Sequence, residues 1–354
     1  MLKPLQVLEQ VHRPEVPKNY QLAMAIPAGM ELVDLEGLDL PELQSLHARI
    51  QETFMSTRKD LVDFPSITSP NYLDVKIRIA TLMGEACELC ERRCRANRNA
   101  GATGTCGVTK EARVSSSFLH YGEEEPLLPS GTIFFAGCNF KCVFCQNHDI
   151  STDPRNGVIM DPEGLGKIAT SLARAGAKNI NYVGGDPTPQ IPTILASMPW
   201  QQVPVAQLWN SNFYNTSAAV DLLLDVMDIW LPDLKYGNDD CARQLSGVDS
   251  YMAVLTRNLV RVHDAMVVPG WASLIIRHLV LPGHVDCCSL PAMEWIAEGL
   301  PGALVNIMGQ YRPEHLVLKH PDDYPDINRR PTSDEIRRVR DRATELGICW
   351  EPVS

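Results

Sequence analysis

Seven cysteines fall within about sixty residues: Cys87, Cys90, Cys94 and Cys106, then Cys138, Cys142 and Cys145. No other feature constrains the chain as strongly. Thiols this crowded in a reducing compartment mean metal or redox chemistry rather than disulfides. The compartment is itself an inference. The start, Met1-Leu2-Lys3-Pro4-Leu5-Gln6, lacks the apolar core of a secretory signal. No run of about 18 apolar residues offers a transmembrane helix. A cytoplasmic protein without a membrane partner is expected. The other cysteines, Cys241, Cys287, Cys288 and Cys349, are scattered and read as small buried apolar residues.

The second cluster reads Gly137-Cys138-Asn139-Phe140-Lys141-Cys142-Val143-Phe144-Cys145, a C-x3-C-x2-C spacing directly after a predicted strand. Three thiolates can hold three irons of a cubane and leave the fourth iron open to a small molecule. Zinc is the rival metal, but structural zinc prefers four ligands, and His148 follows Cys145 too closely for an ordinary knuckle. The first cluster, C-x2-C-x3-C-x11-C, suits either a tetrahedral zinc or a second, fully ligated cubane. Gly101, Gly104 and Gly107 are expected to allow tight turns around that metal. Arg92, Arg93, Arg95 and Arg98 crowd the module. They read as a solvated basic face or as charge compensation for thiolates, the alternative being a dock for an acidic or phosphate-bearing substrate. Glu123-Glu124-Glu125 reads as a solvated charged loop.

From Thr132 the apolar pattern alternates between short runs and helical periodicity. Expected strands are Thr132–Ala136, Asn179–Val183, Val205–Trp209, Ile229–Leu231, Leu274–Leu279 and Leu304–Met308. Helices are expected from Pro162, after Thr216, through Met252–Val262, and after the Thr332/Glu335 capping box. Six strand–helix units imply an α/β fold, an incomplete (β/α)6 barrel whose working residues sit at the C-terminal strand ends. Residues 1–85 form an N-terminal helical and extended region: prolines suggest an extended arm, followed by helices from Pro41 and from Leu73 towards Met83. Residues 86–110 form the four-cysteine module and 125–354 the barrel. A chain of 354 residues with net charge −11 is not a general nucleic-acid or anionic-membrane binder, although a local basic patch leaves nucleic acid open.

With these strands in place, Cys138, Cys142 and Cys145 resemble the cluster loop of the radical S-adenosylmethionine (SAM) superfamily. Later segments agree. Val183-Gly184-Gly185-Asp186-Pro187 resembles the glycine-rich motif whose backbone receives the SAM amino group. Asn210-Ser211, Asp233-Leu234-Lys235 and Ile276-Arg277-His278 end the third, fourth and fifth strands. The match covers most of residues 87–350 and is closest to proteins similar to pyruvate formate-lyase activating enzyme that carry an N-terminal cysteine module. By that resemblance Arg277 and Lys235 receive the SAM carboxylate, Phe144 seats the adenine or simply packs, and Asn210, Ser211 and Asp233 match the positions of a monovalent cation site. Asn210 stands where the activases have Asp, which leaves such a cation one charge fewer. Glycine at 184 and 185 is expected because a Cβ would block the ligand.

The resemblance implies an enzyme, a radical SAM oxidoreductase of activase-like type. Its open iron chelates SAM, one electron splits the sulfonium bond, and a 5'-deoxyadenosyl radical abstracts hydrogen from a substrate, with a protein or peptide the leading class. An electron donor such as flavodoxin or ferredoxin is implied. Modification of a small metabolite or nucleoside is the alternative chemistry. A noncatalytic iron–sulfur or zinc protein for electron transfer or scaffolding is the alternative class. Because the cysteine module precedes the SAM motif here, the relay role of activases with later inserts does not transfer directly.

Overall fold

The computed structural model describes residues 4–58, 66–266 and 273–354. Its centre is an eight-stranded sheet in the order β3-β1-β2-β4-β5-β6-β7-β8. The parallel strands are β2 (Ser130–Phe135), β4 (Asn179–Gly184), β5 (Ala206–Ser211), β6 (Ile229–Pro232), β7 (Ser273–Leu279) and β8 (Leu304–Met308). They are the expected six, within one or two residues at each end, and curl into the incomplete barrel. Two strands were not anticipated. β1 (Ala112–His120) runs antiparallel to β2 and to β3 (Val158–Met160), extending the sheet beyond the barrel's first strand.

Five helices precede the sheet: α1 (Pro4–His12), α2 (Asn19–Ala25), α3 (Leu32–Gly37), α4 (Leu40–Thr57) and α5 (Tyr72–Met83). After β2 come α6 (His148–Thr152), α7 (Pro162–Arg174), α8 (Ile191–Ser197), α9 (Ser217–Leu224) and α10 (Asp239–Ser246). Then follow α11 (Tyr251–Ala265), α12 (Leu290–Gly299), α13 (Leu316–Lys319) and α14 (Ser333–Glu345). The caps read from sequence form as side-chain bonds. Asp161 accepts from Gly164 N, Thr216 from Ala219 N, and Thr332 and Glu335 close a capping box.

The N-terminal segment is not an extended arm. Pro4 occupies the first turn of α1, where a missing N–H costs nothing. Leu8 and Val11 then enter an apolar cluster with Leu127, Ala206, Leu208, Ile229, Leu231, Ile275, Leu304 and Val353. These strand residues lie two apart, on the inward face of the pleat. α1 therefore closes the base of the barrel, the end where strands begin.

The same inward rows turn polar towards the other end. Ala206 and Leu208 lead to Asn210, Ile229 and Leu231 to Asp233, Ile275 to Arg277, and Leu304 to Asn306. Glu123-Glu124 fills the middle layer and is not a solvated loop. Glu124 accepts from Arg277 Nε at 2.7 Å and from Asn306 Nδ2 at 2.7 Å. Glu123 pairs with Arg277 and accepts from Asn181 Nδ2 at 3.1 Å. Burial opposes the charge on Glu124, but Arg277 beside it holds the carboxyl below its ordinary range. Leu127, buried against the base cluster, draws this turn into the barrel.

Candidate active site at the barrel mouth

The first cysteine loop of the barrel leaves β2 at Phe135. Gly137 turns it at φ 87°, a conformation that favours glycine. Gly137 N then donates to Ile150 O, and Asp186 N to Gly137 O. Further along, Lys141 N donates to Ser246 O and Val143 N to Leu245 O, so the end of α10 carries the middle of the loop. Cys142 Sγ lies 2.9 Å from Ser246 Oγ, and Cys145 Sγ 3.3 Å from Ser151 Oγ.

A cavity of about 240 Å³ opens between this loop and the strand ends. Cys138, Cys142, Cys145 and Phe144 line it from one side; Gly184, Gly185, Asn210, Ser211, Asp233, Lys235 and Arg277 line it from the strands. Asp186 is not in its wall. It is buried behind the wall, where its carboxylate accepts from Thr188 N at 2.9 Å and Asn212 N at 3.0 Å and so ties the ends of β4 and β5 together.

Gly184 and Gly185 have a reason to be glycine within the fold itself, besides the one expected. A Cβ on Gly184 would stand 2.2 Å from the backbone N and O of Phe135, and one on Gly185 would stand 2.2 Å from Gly137 O. What they permit is close approach of β4 to β2 and to the cysteine loop.

Charge in the cavity is unevenly spread. Burial pushes the Cys138 thiol well up, and pushes Cys142 up to about 11 despite the nearby Lys235 ammonium. Lys235 pairs with Asp233. The Arg277 guanidinium is already held by Glu123 and Glu124. The Asn210 side chain is buried in the wall, and its Nδ2 has no hydrogen-bond partner. Phe144 is buried edge-on to Tyr311, with ring centroids 5.7 Å apart. His278 points away, its ring bonded to Leu234 O and Ser289 Oγ. His315 stacks on His148 at 5.0 Å.

Cys87, Cys90, Cys94 and Cys106 surround one small void, shared with Arg98 and Thr188. Gly101 and Gly107 make turns at φ 86° and 74°, as expected; at Gly104 a Cβ would collide with Cys94 Sγ at 2.2 Å. The module is stitched to the barrel mouth. Glu91 N donates to Tyr214 O, Thr216 N to Leu89 O, and Arg92 Nε to Asn139 O, next to Cys138. The arginines do not form an open basic face. Arg93 and Arg95 pair with Glu91 and Glu88, and Arg98 is buried against Val108 O and Thr109 O; burial pushes the Cys87 thiol up, and the Arg98 charge offsets only part of that.

The four scattered cysteines divide. Cys349 packs against the base cluster as a small apolar residue. Cys241, Cys287 and Cys288 instead converge with His284, their donor atoms all within 4.8 Å of one another. The H-x2-C-C spacing of residues 284–288 was the available signal.

A family model described as the radical SAM superfamily matches residues 132–295. An uncharacterized protein of Methanocaldococcus jannaschii, MJ0674, is 40% identical over 325 residues, covering 90% of this chain and 92% of the relative. Among solved structures, Streptococcus suis SuiB bound to precursor peptide SuiA aligns with TM-score 0.44 and 13% identity, over 60% of this chain and 46% of SuiB. A domain of a pyruvate-formate lyase-activating enzyme from Bacteroides vulgatus aligns with TM-score 0.33 and 16% identity, over 53% of this chain and 89% of that domain. Among the described residues no helix is long and apolar enough to cross a membrane.

Proposed function

This chain belongs to the radical SAM superfamily, and from that premise we propose that, with a [4Fe–4S] cluster on Cys138, Cys142 and Cys145, it reductively cleaves SAM to a 5'-deoxyadenosyl radical that takes hydrogen from a protein or peptide. The observation that carries this reading is the single cavity lined by the three thiols and by strand ends bearing Gly184, Asn210, Asp233 and Arg277. The residues fit the group. Burial makes the Cys138 and Cys142 thiols costly to ionise without a metal. The unpartnered Asn210 amide in the wall likewise waits for a polar ligand.

The chain's own residues then position and shield. Lys235, at the cavity wall, receives the SAM carboxylate, and Arg277 supports it from below while fixed by two carboxylates. The backbone of Gly184-Gly185 faces the amino group, with Asp186 behind it holding the turn. Phe144 offers an apolar wall for the adenine. Asn210, Ser211 and Asp233 are the oxygen donors available to a monovalent cation, which would displace Lys235 from Asp233. The N-terminal cysteines would hold a second [4Fe–4S] cluster or a zinc ion, and the Arg92–Asn139 bond ties their module to the loop of Cys138. Family members need a one-electron donor, and flavodoxin or ferredoxin in the cytoplasm fills that role.

Anaerobic incubation with SAM and dithionite tests the reading directly. The full chain should release 5'-deoxyadenosine, and Cys142→Ala should reduce release to the chemical background. Release that persists in Cys142→Ala would overturn the assignment.

A further inference from the structure

Sulfur also gathers beside the barrel mouth, where the loops after β6 and β7 meet. Cys241 stands in the first turn of α10, which follows β6. His284, Cys287 and Cys288 follow β7. His284 precedes a helical turn that carries Cys287 and Cys288. That turn, Val285–Ser289, is wound as a π-helix running into α12, a widening often found at functional sites.

The distances identify the ligand. His284 Nδ1 lies 3.5 Å from Cys241 Sγ and 3.4 Å from Cys287 Sγ. Cys287 Sγ lies 3.8 Å from both Cys241 Sγ and Cys288 Sγ. A tetrahedral zinc with its usual bond lengths separates two sulfurs by about 3.8 Å and a sulfur from a nitrogen by about 3.5 Å. Four of the six edges of that tetrahedron are already in place, and the other two are shorter than 4.8 Å. A cubane does not fit, because each thiolate binds a different iron and must stand further from its neighbours. We propose that Cys241, His284, Cys287 and Cys288 bind one structural zinc ion.

The surroundings suit a closed Cys3His site. Asn238 Nδ2 lies 3.3 Å from Cys241 Sγ and 3.6 Å from Cys288 Sγ, and donates to Cys287 O at 2.7 Å. It is an outer amide that orients the sulfurs. Gly237 leaves no room for a side chain, since a Cβ there would stand 2.5 Å from Cys288 O. No position is left for a substrate, so the ion's work is mechanical. It fixes the start of α10, and the end of α10 carries Lys141, Cys142 and Val143 through Leu245 and Ser246. It also pins the segment bearing Asp233 and Lys235.

The experiment is zinc and iron counting on the full chain, purified anaerobically, for wild type, Cys241→Ser and Cys287→Ser. Cys287 is exposed, so its substitution is the gentler one. Each variant should lose about one zinc per chain with iron unchanged. The difference between chains isolates this site from any metal on Cys87–Cys106. Unchanged zinc, or loss of iron instead, would overturn the proposal. Should either variant fail to fold, the wild type answers by itself. Iodoacetamide should spare Cys287 until a zinc chelator is added, and its alkylation should then track release of zinc. Prompt alkylation before any zinc leaves, or recovery of a Cys241–Cys287 disulfide peptide in place of zinc, would sink the idea.

Discussion

At the base of the barrel, Lys76, His47, Tyr72 and Asp225 answer one another's charges and hydrogen bonds. At the mouth, the Asn210 amide and three thiols border a cavity instead. The base group is tight: Lys76 Nζ lies 3.1 Å from Asp225 Oδ2 and 2.9 Å from His47 Nε2, and Tyr72 donates to the same carboxylate at 2.8 Å. A second base carboxylate, Asp228, accepts from Asn19 N at 2.9 Å and Gln207 N at 2.7 Å. Both aspartates lie between α9 and β6, and both fasten the N-terminal helices to the barrel. One end thus spends its polar groups on holding the chain together. The other leaves the Asn210 amide without a partner and sets the thiols at an open cavity. This division is what a barrel with its chemistry at the C-terminal strand ends requires.

The sharpest way to break the comparison is Lys76→Met. The ammonium is fully buried, and its loss leaves Asp225 charged and without its cation. Removing one partner of a buried pair typically costs about 3–5 kcal/mol. Urea unfolding should show that loss. The double variant Lys76→Met/Asp225→Leu should recover part of it, because no uncompensated charge remains. Release of 5'-deoxyadenosine per folded molecule should not change. If it fell with Lys76→Met at low temperature, where the chain stays folded, the two ends would not be separable.

The mouth was far more legible in the sequence than the base, for physical reasons. Cys138, Cys142 and Cys145 share one loop, so their spacing records the geometry they build. The strands β2 and β4–β8 announced themselves because rows such as Ile229–Leu231 are apolar and end in polar residues. Lys76 gave no such sign: on an amphipathic helix a lysine reads as solvent-facing, and only the distant Asp225 makes its burial tolerable. Glu124 was hidden in the same way, since its partner Arg277 lies 153 residues on. The Cys241–Cys288 site falls between these cases. Three of its donors lie within five residues of sequence, but the fourth arrives from α10, and without it the two cysteines and the histidine fall short of a full ligand set.

A smaller effect sharpens the mouth side. Lys235→Met removes the ammonium at the cavity wall. We expect the KM for SAM to rise by roughly tenfold or more, the worth of about one charge-assisted hydrogen bond. Stability should move little, because its partner Asp233 is partly solvated and keeps water as an alternative. Arg277→Lys should do the reverse: the fork that holds Glu123 and Glu124 is lost, the middle layer loosens, and the unfolding midpoint drops. A KM unchanged in Lys235→Met would move carboxylate recognition elsewhere in the cavity.

The smallest effect concerns acid. Burial first, then Lys76 and Arg261, lowers the His47 pKa to about 2, so the folded chain keeps this ring neutral between Lys76, Tyr72 and Asp225. Unfolded, the ring protonates near its ordinary 6.5. The unfolded state therefore binds more protons below that pH, and stability is lost as pH falls. The slope from one such histidine is up to about 1.4 kcal/mol per pH unit. His12, lowered to about 3 chiefly by burial, adds in the same direction. Asp228 acts the other way: burial raises its pKa to about 6, so folding takes up a proton there and stability rises as pH falls from about 6 to about 4. His47→Gln removes one term without touching the others. Unfolding free energies from urea titrations at pH 7 and pH 5.5 should converge in this variant by about 1 kcal/mol relative to wild type. An identical pH dependence in both chains would mean that His47 is charged in the folded base, with Asp225 shared between two cations.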